Sequence, residues 1–340
     1  MKSLLVRLSS IGDVIHTLPA AAALSRAGWE TAWAVEPLSA VLLETNPAVS
    51  RVFHLPAAKR FRWRDARTAL GALRAIRHDA ALDFQGLWKS AAWARLSGAR
   101  RVVGYARPWR REGASTVLIG ERVALPEAAV HVIDKNLALL RALGIDAVGQ
   151  REFPLPVVPG AEEGVARQLG TADGPLVVLN PAGGWASKLW PAEAFGALAR
   201  ALTRDGARVV VTWGPGEETL ADQVVAASEK AAVKCFPTTL IELIEVFRRS
   251  ALVVAADTGP LHLACAVGTP VVGLFGPTDP ARNGPFSLAD EVVRRVPPCA
   301  PCHRRVCSEH QHVMTTLPVD DVLAAARRRL ASGREERSVA

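Results

Sequence analysis

Several short stretches of this chain hold side chains whose types and spacing suit chemistry. In VRLSSIGDVIHTLPA, Val6 to Ala20, an apolar run ends in Ser9, Ser10, Ile11, Gly12 and Asp13 and passes into a helical pattern. A carboxylate at a helix start is stabilised as the anion; it serves as a cap or, beside a bound alcohol, as a general base. No G-x-G-x-x-G accompanies it, which tells against a dinucleotide-dependent dehydrogenase. The stretch DTGPLHLACAVGTPVVGLFGPTDP, Asp257 to Pro280, has a similar layout. An apolar strand ends at Asp257, Thr258 and Gly259 form the bend, and Pro260 enters the first helical turn, where its missing N–H costs nothing. The free N–H groups of that turn suit a phosphate, and they suit a plain cap equally well.

NPAGGWASKLWP, Asn180 to Pro191, also leaves a strand and enters a helix. Gly183 and Gly184 allow backbone to approach a ligand closely, and Lys188 places a mobile ammonium near any phosphate held there. A lone lysine is more often a solvated surface charge; the neighbouring glycines and the Asp257 loop shift that balance. In TWGPGEE, Thr212 to Glu218, the carboxylates suit ribose hydroxyls, or they merely favour a helix start. DFQGLWKSA, Asp83 to Ala91, offers Gln85 and Lys89 at a further strand end. KRFRWRDAR, residues 59 to 67, interleaves five cations with Phe61 and Trp63, which suits an anionic glycolipid or nucleic acid, although a solvated helix start is the commoner explanation of such a run.

Two sets of alternating elements must position these loops. SLLVRL, TAWAV, RVFHL, AALDF and RVVGY are read as strands, with helices expected at about 13–26, after Pro37 and over 65–77. Three prolines in REFPLPVVPGA, residues 151 to 161, interrupt the pattern and mark a linker. The alternation then resumes with PLVVLN, ARVVVTW, AAVKCF, ALVVAAD and PVVGLFG, and helices are expected at 191–203, about 217–229 and through TLIELIEVFRRS. The expected fold is α/β with two Rossmann-like domains facing across a cleft, since such sheets bind ligands at the carboxyl ends of their strands.

The formal net charge of +8 over 340 residues points to an anionic partner without choosing among nucleic acid, a membrane surface and a substrate. No nucleic-acid-binding motif is present, and outside residues 59–67 the basic residues are dispersed. No apolar run is long enough to span a bilayer, and Arg7 breaks the apolar N-terminus too early for a secretion signal, so a cytoplasmic protein is expected. Cys235 and Cys265 read as core thiols, in keeping with a reducing compartment. Cys299, Cys302, Cys307 and His312 are of a type that binds zinc, but their irregular spacing argues against a zinc ribbon, and no metal or cofactor is expected.

Taken together, SSIGDVIHTLPA, DFQGLWKSA, SKLWP, WGPGEE and DTGPLHLACAVGTPVVGLFGPTDP resemble glycosyltransferase family nine, the ADP-heptose:lipopolysaccharide heptosyltransferases, in order and across nearly the whole chain. The resemblance implies the GT-B fold. It places an acceptor-binding domain at 1–155, a nucleotide-sugar domain at 156–316, a helix at 317–332 packing back toward the first domain, and a disordered tail at 333–340. It implies metal-independent, inverting transfer of heptose from ADP-heptose to an anionic inner-core sugar of the Kdo type, by an enzyme peripherally attached to the inner membrane and without nucleic acid. Asp13 then matches the catalytic base. Lys188, Asp257, Thr258, Gly259 and His262 match the donor phosphate and sugar site, with Gly183 and Gly184 beside them, and Glu218 matches the ribose acid. The acceptor site draws on Ser9, Ser10, Gly12, Lys59, Arg60, Arg62, Arg64, Gln85 and Lys89. A related GT-B transferase with another donor or acceptor is the alternative; an epimerase would not need the cationic segment.

Overall fold

The computed structural model describes residues 1–57, 62–171, 173–302 and 313–339, with side chains through 333. The chain divides into two units, Met1–Val157 and Val158–Ala340. In the first, six parallel strands are β1 (Lys2–Val6), β2 (Glu30–Val35), β3 (Arg51–His54), β4 (Ala80–Asp83), β5 (Arg101–Tyr105) and β6 (Glu121–Val123). They lie in the order β3-β2-β1-β4-β5-β6. The helices between them are α1 (Ile11–Ile15), α2 (Leu18–Arg26), α3 (Pro37–Ala40), α4 (Trp63–Arg74) and α5 (Trp88–Leu96), and α6 (Val132–Leu139) follows β6.

The second unit repeats the plan. Its strands are β7 (Leu176–Asn180), β8 (Arg208–Val211), β9 (Ala232–Lys234), β10 (Leu252–Ala256), β11 (Val271–Phe275) and β12 (Glu291–Arg294), ordered β12-β11-β10-β7-β8-β9 and again parallel. Its helices are α7 (Ala161–Leu169), α8 (Ala192–Arg204), α9 (Glu218–Ala227), α10 (Leu240–Arg248), α11 (Gly259–Val267), α12 (Pro280–Asn283) and α13 (Val319–Val339). The central strands are buried along nearly their whole length, as strands covered by helices on both faces must be: LLV of β1, VVLN of β7 and all of β10. The order in both units is that of the doubly wound fold. The direction of winding reverses between β1 and β4 and between β7 and β10, leaving a crevice beyond those strand ends.

Three details differ from the sequence reading. The single helix expected over 13–26 is two, because Pro19 in the first turn of α2 lacks a donor and its ring cannot follow a continuous helix. The final helix joins the second unit rather than the first: Val322, Ala325 and Ala326 lie in one buried cluster with Val177, Leu179, Val254 and Val272. That helix also runs on through Gly333 to Val339, where a disordered tail was expected; Arg and Glu, which dominate this stretch, are good helix formers.

Helix packing in the second unit depends on a glycine. A Cβ on Gly196 of α8 would stand 2.5–2.7 Å from the carbonyl carbon, Cβ and carbonyl oxygen of Ala227 at the end of α9. Gly164 in α7 has nothing within 4 Å of the same position. The two should therefore respond oppositely to alanine. Gly164→Ala is expected to raise stability by roughly 0.5–1 kcal/mol through helix propensity. Gly196→Ala is expected to lower it by about 1–2 kcal/mol, overpacking outweighing the same gain. Urea denaturation of the full chain reads both signs, and a stabilised Gly196→Ala variant would show that α8 and α9 are not held at this spacing.

Candidate active site

In the first unit Asp13 is the third residue of α1, just beyond the carboxyl end of β1. Ser10 shapes its setting, since the Ser10 N–H and hydroxyl both donate to Asp13 Oδ2, at 3.1 and 3.2 Å. The Arg7 guanidinium pairs with Oδ1 and also donates to the Phe84 carbonyl. Arg7 is nearly buried, whereas the Asp13 side chain keeps 41% of its surface accessible. Burial works to raise the pKa of Asp13, but the Arg7 charge, the Ser10 N–H and the hydrogen bonds from both side chains outweigh it and hold the carboxyl below its ordinary value. Any stability this contact contributes is present above the unfolded carboxylate pKa and is lost as pH falls through the depressed folded one.

The loop after β4 holds Arg7 in turn. Asp83 is wholly buried, as is its ion-pair partner Arg110, at 2.6 Å. The other Asp83 oxygen accepts the N–H groups of Gln85 and Gly86, at 3.1 and 3.2 Å, and the Arg110 Nε donates to Ser115. Gln85 Oε1 accepts the Leu8 N–H at 2.9 Å, so this residue, expected at the acceptor, ties the β4 loop to the β1 loop. On the far side of α1, Thr17 donates to the Asp13 carbonyl, Asn136 donates to Thr17 and to the His16 carbonyl, and Tyr105 donates to Asn136.

In the second unit the corresponding places are the ends of β7, β8 and β10. Asp257, nearly buried, follows β10 and is enclosed by donors. Lys188 Nζ lies at 2.6 Å, the Thr278 hydroxyl at 2.7 Å and Asn283 Nδ2 at 2.6 Å. His262 Nε2 stands 3.3 Å from the other face of the pair, at Oδ1. Burial pushes the Asp257 pKa up, but His262, through its hydrogen bond and charge, and Lys188 together hold it far below the ordinary range. Lys188 also donates to the Asp257 carbonyl at 3.1 Å and lies 4.6 Å from the Trp185 ring centre. The ammonium is therefore fixed, not mobile as the loop sequence suggested.

Thr258 is the N-cap of α11, with Pro260 in its first turn, and leaves the N–H of Gly259 without an intrahelical partner. Gly183 has a reason the sequence did not show: a Cβ there would meet the Thr258 methyl at 2.8 Å, so the β7 and β10 loops touch only because that position is glycine. Gly184 has open space around it. Glu218 begins α9 and is half exposed, paired with Lys234 at 2.9 Å, while Glu217 turns back to accept the Gly214 N–H at 2.8 Å.

The remaining expected residues divide. Ser9 and Gly12 share the Asp13 loop, and Lys89, half-buried, is paired with Glu36 at 2.7 Å. Arg62 and Arg64 are exposed at the start of α4. Lys59 and Arg60 lie outside the described residues, as do Cys307 and His312. Sequence reasoning missed Arg7, Asp83, Arg110, Thr278 and Asn283; Arg7 and Asp83 are charged residues in otherwise apolar runs, which was the available signal, whereas Arg110 is one of several charges in RPWRRE and gave none. Among the described residues no group of three His, Cys, Asp or Glu is arranged to hold a metal ion, and no helix is long and apolar enough to cross a membrane.

Each unit has the Rossmann-type topology, one with an accessible carboxylate at its switch point and the other with a caged lysine beside a helix start, and the match to a solved heptosyltransferase puts the chain among the glycosyltransferases of the GT-B class. The chain belongs to glycosyltransferase family 9 (heptosyltransferase), whose profile matches residues 67–313. Lipopolysaccharide heptosyltransferase 1 of Pseudomonas aeruginosa is 35% identical over 326 residues, covering 91% of this chain and 88% of that protein. Its counterpart in Escherichia coli K12 is 31% identical over 315 residues, covering 86% and 93%. The solved structure of E. coli heptosyltransferase WaaC with ADP matches with a TM-score of 0.77 at 26% identity, over 97% of this chain and all of that one.

The Arg7 contact makes a prediction that does not depend on turnover. With Arg7→Met, burial is left to act on Asp13 without its opposing charge, so the carboxyl pKa should move upward. A carbon-13 NMR titration of the Asp13 carboxyl reads this directly, and an unmoved or lowered value would remove Arg7 from the role.

Proposed function

We propose that this glycosyltransferase moves heptose from ADP-heptose to a hydroxyl of an anionic, Kdo-type inner-core sugar of a lipopolysaccharide precursor, with inversion and with Asp13 as general base. The observation that carries the reading is the Asp13 carboxylate, ionised by its setting and still accessible at the end of β1. An alcohol is a poor nucleophile near neutral pH, so its proton must leave as the new bond forms. The acceptor oxygen attacks the anomeric carbon, its proton passes to Asp13, and the bond from that carbon to the diphosphate oxygen breaks. ADP departs with the electron pair.

The second unit supplies the opposite need. Negative charge grows on the departing diphosphate, and Lys188 with the first-turn N–H groups of α11 offers fixed positive partners for it. Asp257 sets where that lysine stands, and Glu218 takes the ribose. The first unit is then the acceptor domain, with Ser9, Gly12, Lys89, Arg62 and Arg64, and Lys59 and Arg60, around the anionic sugar, while Ser10 orients the base. The relatives named lipopolysaccharide heptosyltransferase and the solved complex with ADP support this assignment. The enzyme works at the inner face of the cytoplasmic membrane, where a lipid-anchored precursor is presented.

Asp13→Asn tests the mechanism while keeping the Ser10 contacts nearly isosteric. Transfer should fall by roughly 10²- to 10⁴-fold, the range a general base supplies, with ADP-heptose affinity little changed. Retained turnover would take the base role from Asp13. Lys188→Gln, which can still donate to Asp257, should instead weaken donor binding by about tenfold or more, as loss of a charge-assisted contact does. Calorimetric titration with ADP-heptose separates the two variants.

A further inference from the structure

The carboxyl edge of the first sheet carries more exposed apolar surface than its chemistry requires. Leu38 in α3 is 76% exposed, Trp63 at the start of α4 79%, Trp88 at the start of α5 46%, and Trp109 in the 3₁₀ turn Arg107–Trp109 43%. Single exposed apolar residues are ordinary on a soluble protein. These four are not scattered: they follow β2, β3, β4 and β5 in turn, each in the loop just beyond the strand. Because the sheet is parallel, all four loops emerge at one edge, and the order β3-β2-β1-β4-β5 sets two of them on either side of the Asp13 loop after β1.

Cations are interleaved with them. Arg62, Arg64, Arg67, Arg107 and Arg111 are exposed in the same loops and helix starts, and none is ion-paired with a carboxylate among the described residues. The nearby acids are fewer and partly engaged: Glu36 pairs with Lys89, Glu112 accepts the Trp88 N–H at 2.6 Å, and Asp65 is exposed in the first turn of α4. Indole rings settle at the headgroup level of a bilayer, and guanidinium groups are drawn to anionic headgroups over about a Debye length.

We propose that this rim docks the first unit onto an anionic lipid bilayer, with Leu38, Trp63, Trp88 and Trp109 entering the interface and Arg67, Arg107 and Arg111 meeting lipid phosphate, while Arg62 and Arg64 stay with the acceptor sugar. The inference rests on the reading of Asp13 as the base for a lipid-anchored acceptor. A sugar held at the membrane surface can reach Asp13 only if the edge around Asp13 approaches that surface, and the rim frames it on both sides. The docking surface is a property of the bilayer and not of the acceptor: it binds vesicles that contain no acceptor at all.

Co-sedimentation with vesicles tests it, using the full chain and no acceptor, with phosphatidylcholine alone and with about one third phosphatidylglycerol. The chain should sediment with the anionic vesicles at low salt, bind pure phosphatidylcholine at least tenfold more weakly, and be released as salt rises. Leu38→Ser/Trp109→Ser, two exposed positions outside the catalytic and sugar-binding set, should lower anionic-vesicle binding by roughly tenfold while leaving transfer to a water-soluble, delipidated acceptor unchanged. Arg107→Gln/Arg111→Gln should lower binding and flatten its salt dependence. Failure of the unaltered chain to bind anionic vesicles, binding that appears only when the vesicles carry acceptor, or an unaffected Leu38/Trp109 variant would each overturn the proposal. So would light scattering that shows the rim holding two copies of the chain together in place of lipid. Loss of transfer to the soluble acceptor by the unaltered chain would count against the function proposed above and leave the vesicle result standing.

Discussion

In each sheet one strand beside the switch point ends in a carboxylate that cannot reach water, and the local architecture is arranged to satisfy it. β4 ends at Asp83, whose oxygens take the Arg110 guanidinium and two backbone N–H groups. β10 runs into Asp257, whose oxygens face Lys188, Thr278, Asn283 and His262. A buried charge short of partners costs several kcal/mol, so each loop that supplies a donor is held to it. The two strands hold the same position in the same topology, and the two carboxylates do the same work: they fix the loops from which the proposed active groups project.

What those loops present differs because their counter-ions differ. In the first unit the pair is closed on itself, and its effect reaches Asp13 through the Phe84 carbonyl that Arg7 grips and the Leu8 N–H that Gln85 accepts. In the second unit the counter-ion is itself the cation of the proposed donor site: Lys188 is the partner of Asp257 and, in the proposed mechanism, the charge offered to a diphosphate. Gly183 belongs to the same arrangement: without a side chain there, the loops bearing Lys188 and Thr258 come into contact.

Much of this was legible in the chain. The buried parallel strands announced themselves as short runs of Val, Ile, Leu and Ala, the prolines near 154–159 marked the join, and Asp13, Lys188 and Asp257 stood at strand ends where ligands bind. The edge strands β6 and β12 escaped notice because ERV and EVVR are too short and too polar to show either period. The partners of the acids escaped for a different reason. Asp83 meets Arg110 across 27 positions and Asp257 meets Asn283 across 26, and no local pattern records which of many arginines or asparagines will return to a given carboxylate. Gln85, expected at the acceptor from its place at a strand end, also has a structural part that the sequence did not show, since its Oε1 ties the β4 loop to the β1 loop.

The last helix has a consequence for how the protein is made. Val322, Ala325 and Ala326 of α13 belong to the same apolar cluster as β7, β10 and β11, and Trp190 donates its indole N–H to the Leu317 carbonyl just before that helix. Every strand of the second sheet therefore leaves the ribosome before the segment that closes its core, whereas the strands and helices of the first unit are all encoded by residue 157. Synthesis delivers a completed first half tethered to a second whose greasy flank stays uncovered until α13 emerges, and during that interval aggregation and chaperone capture compete with folding.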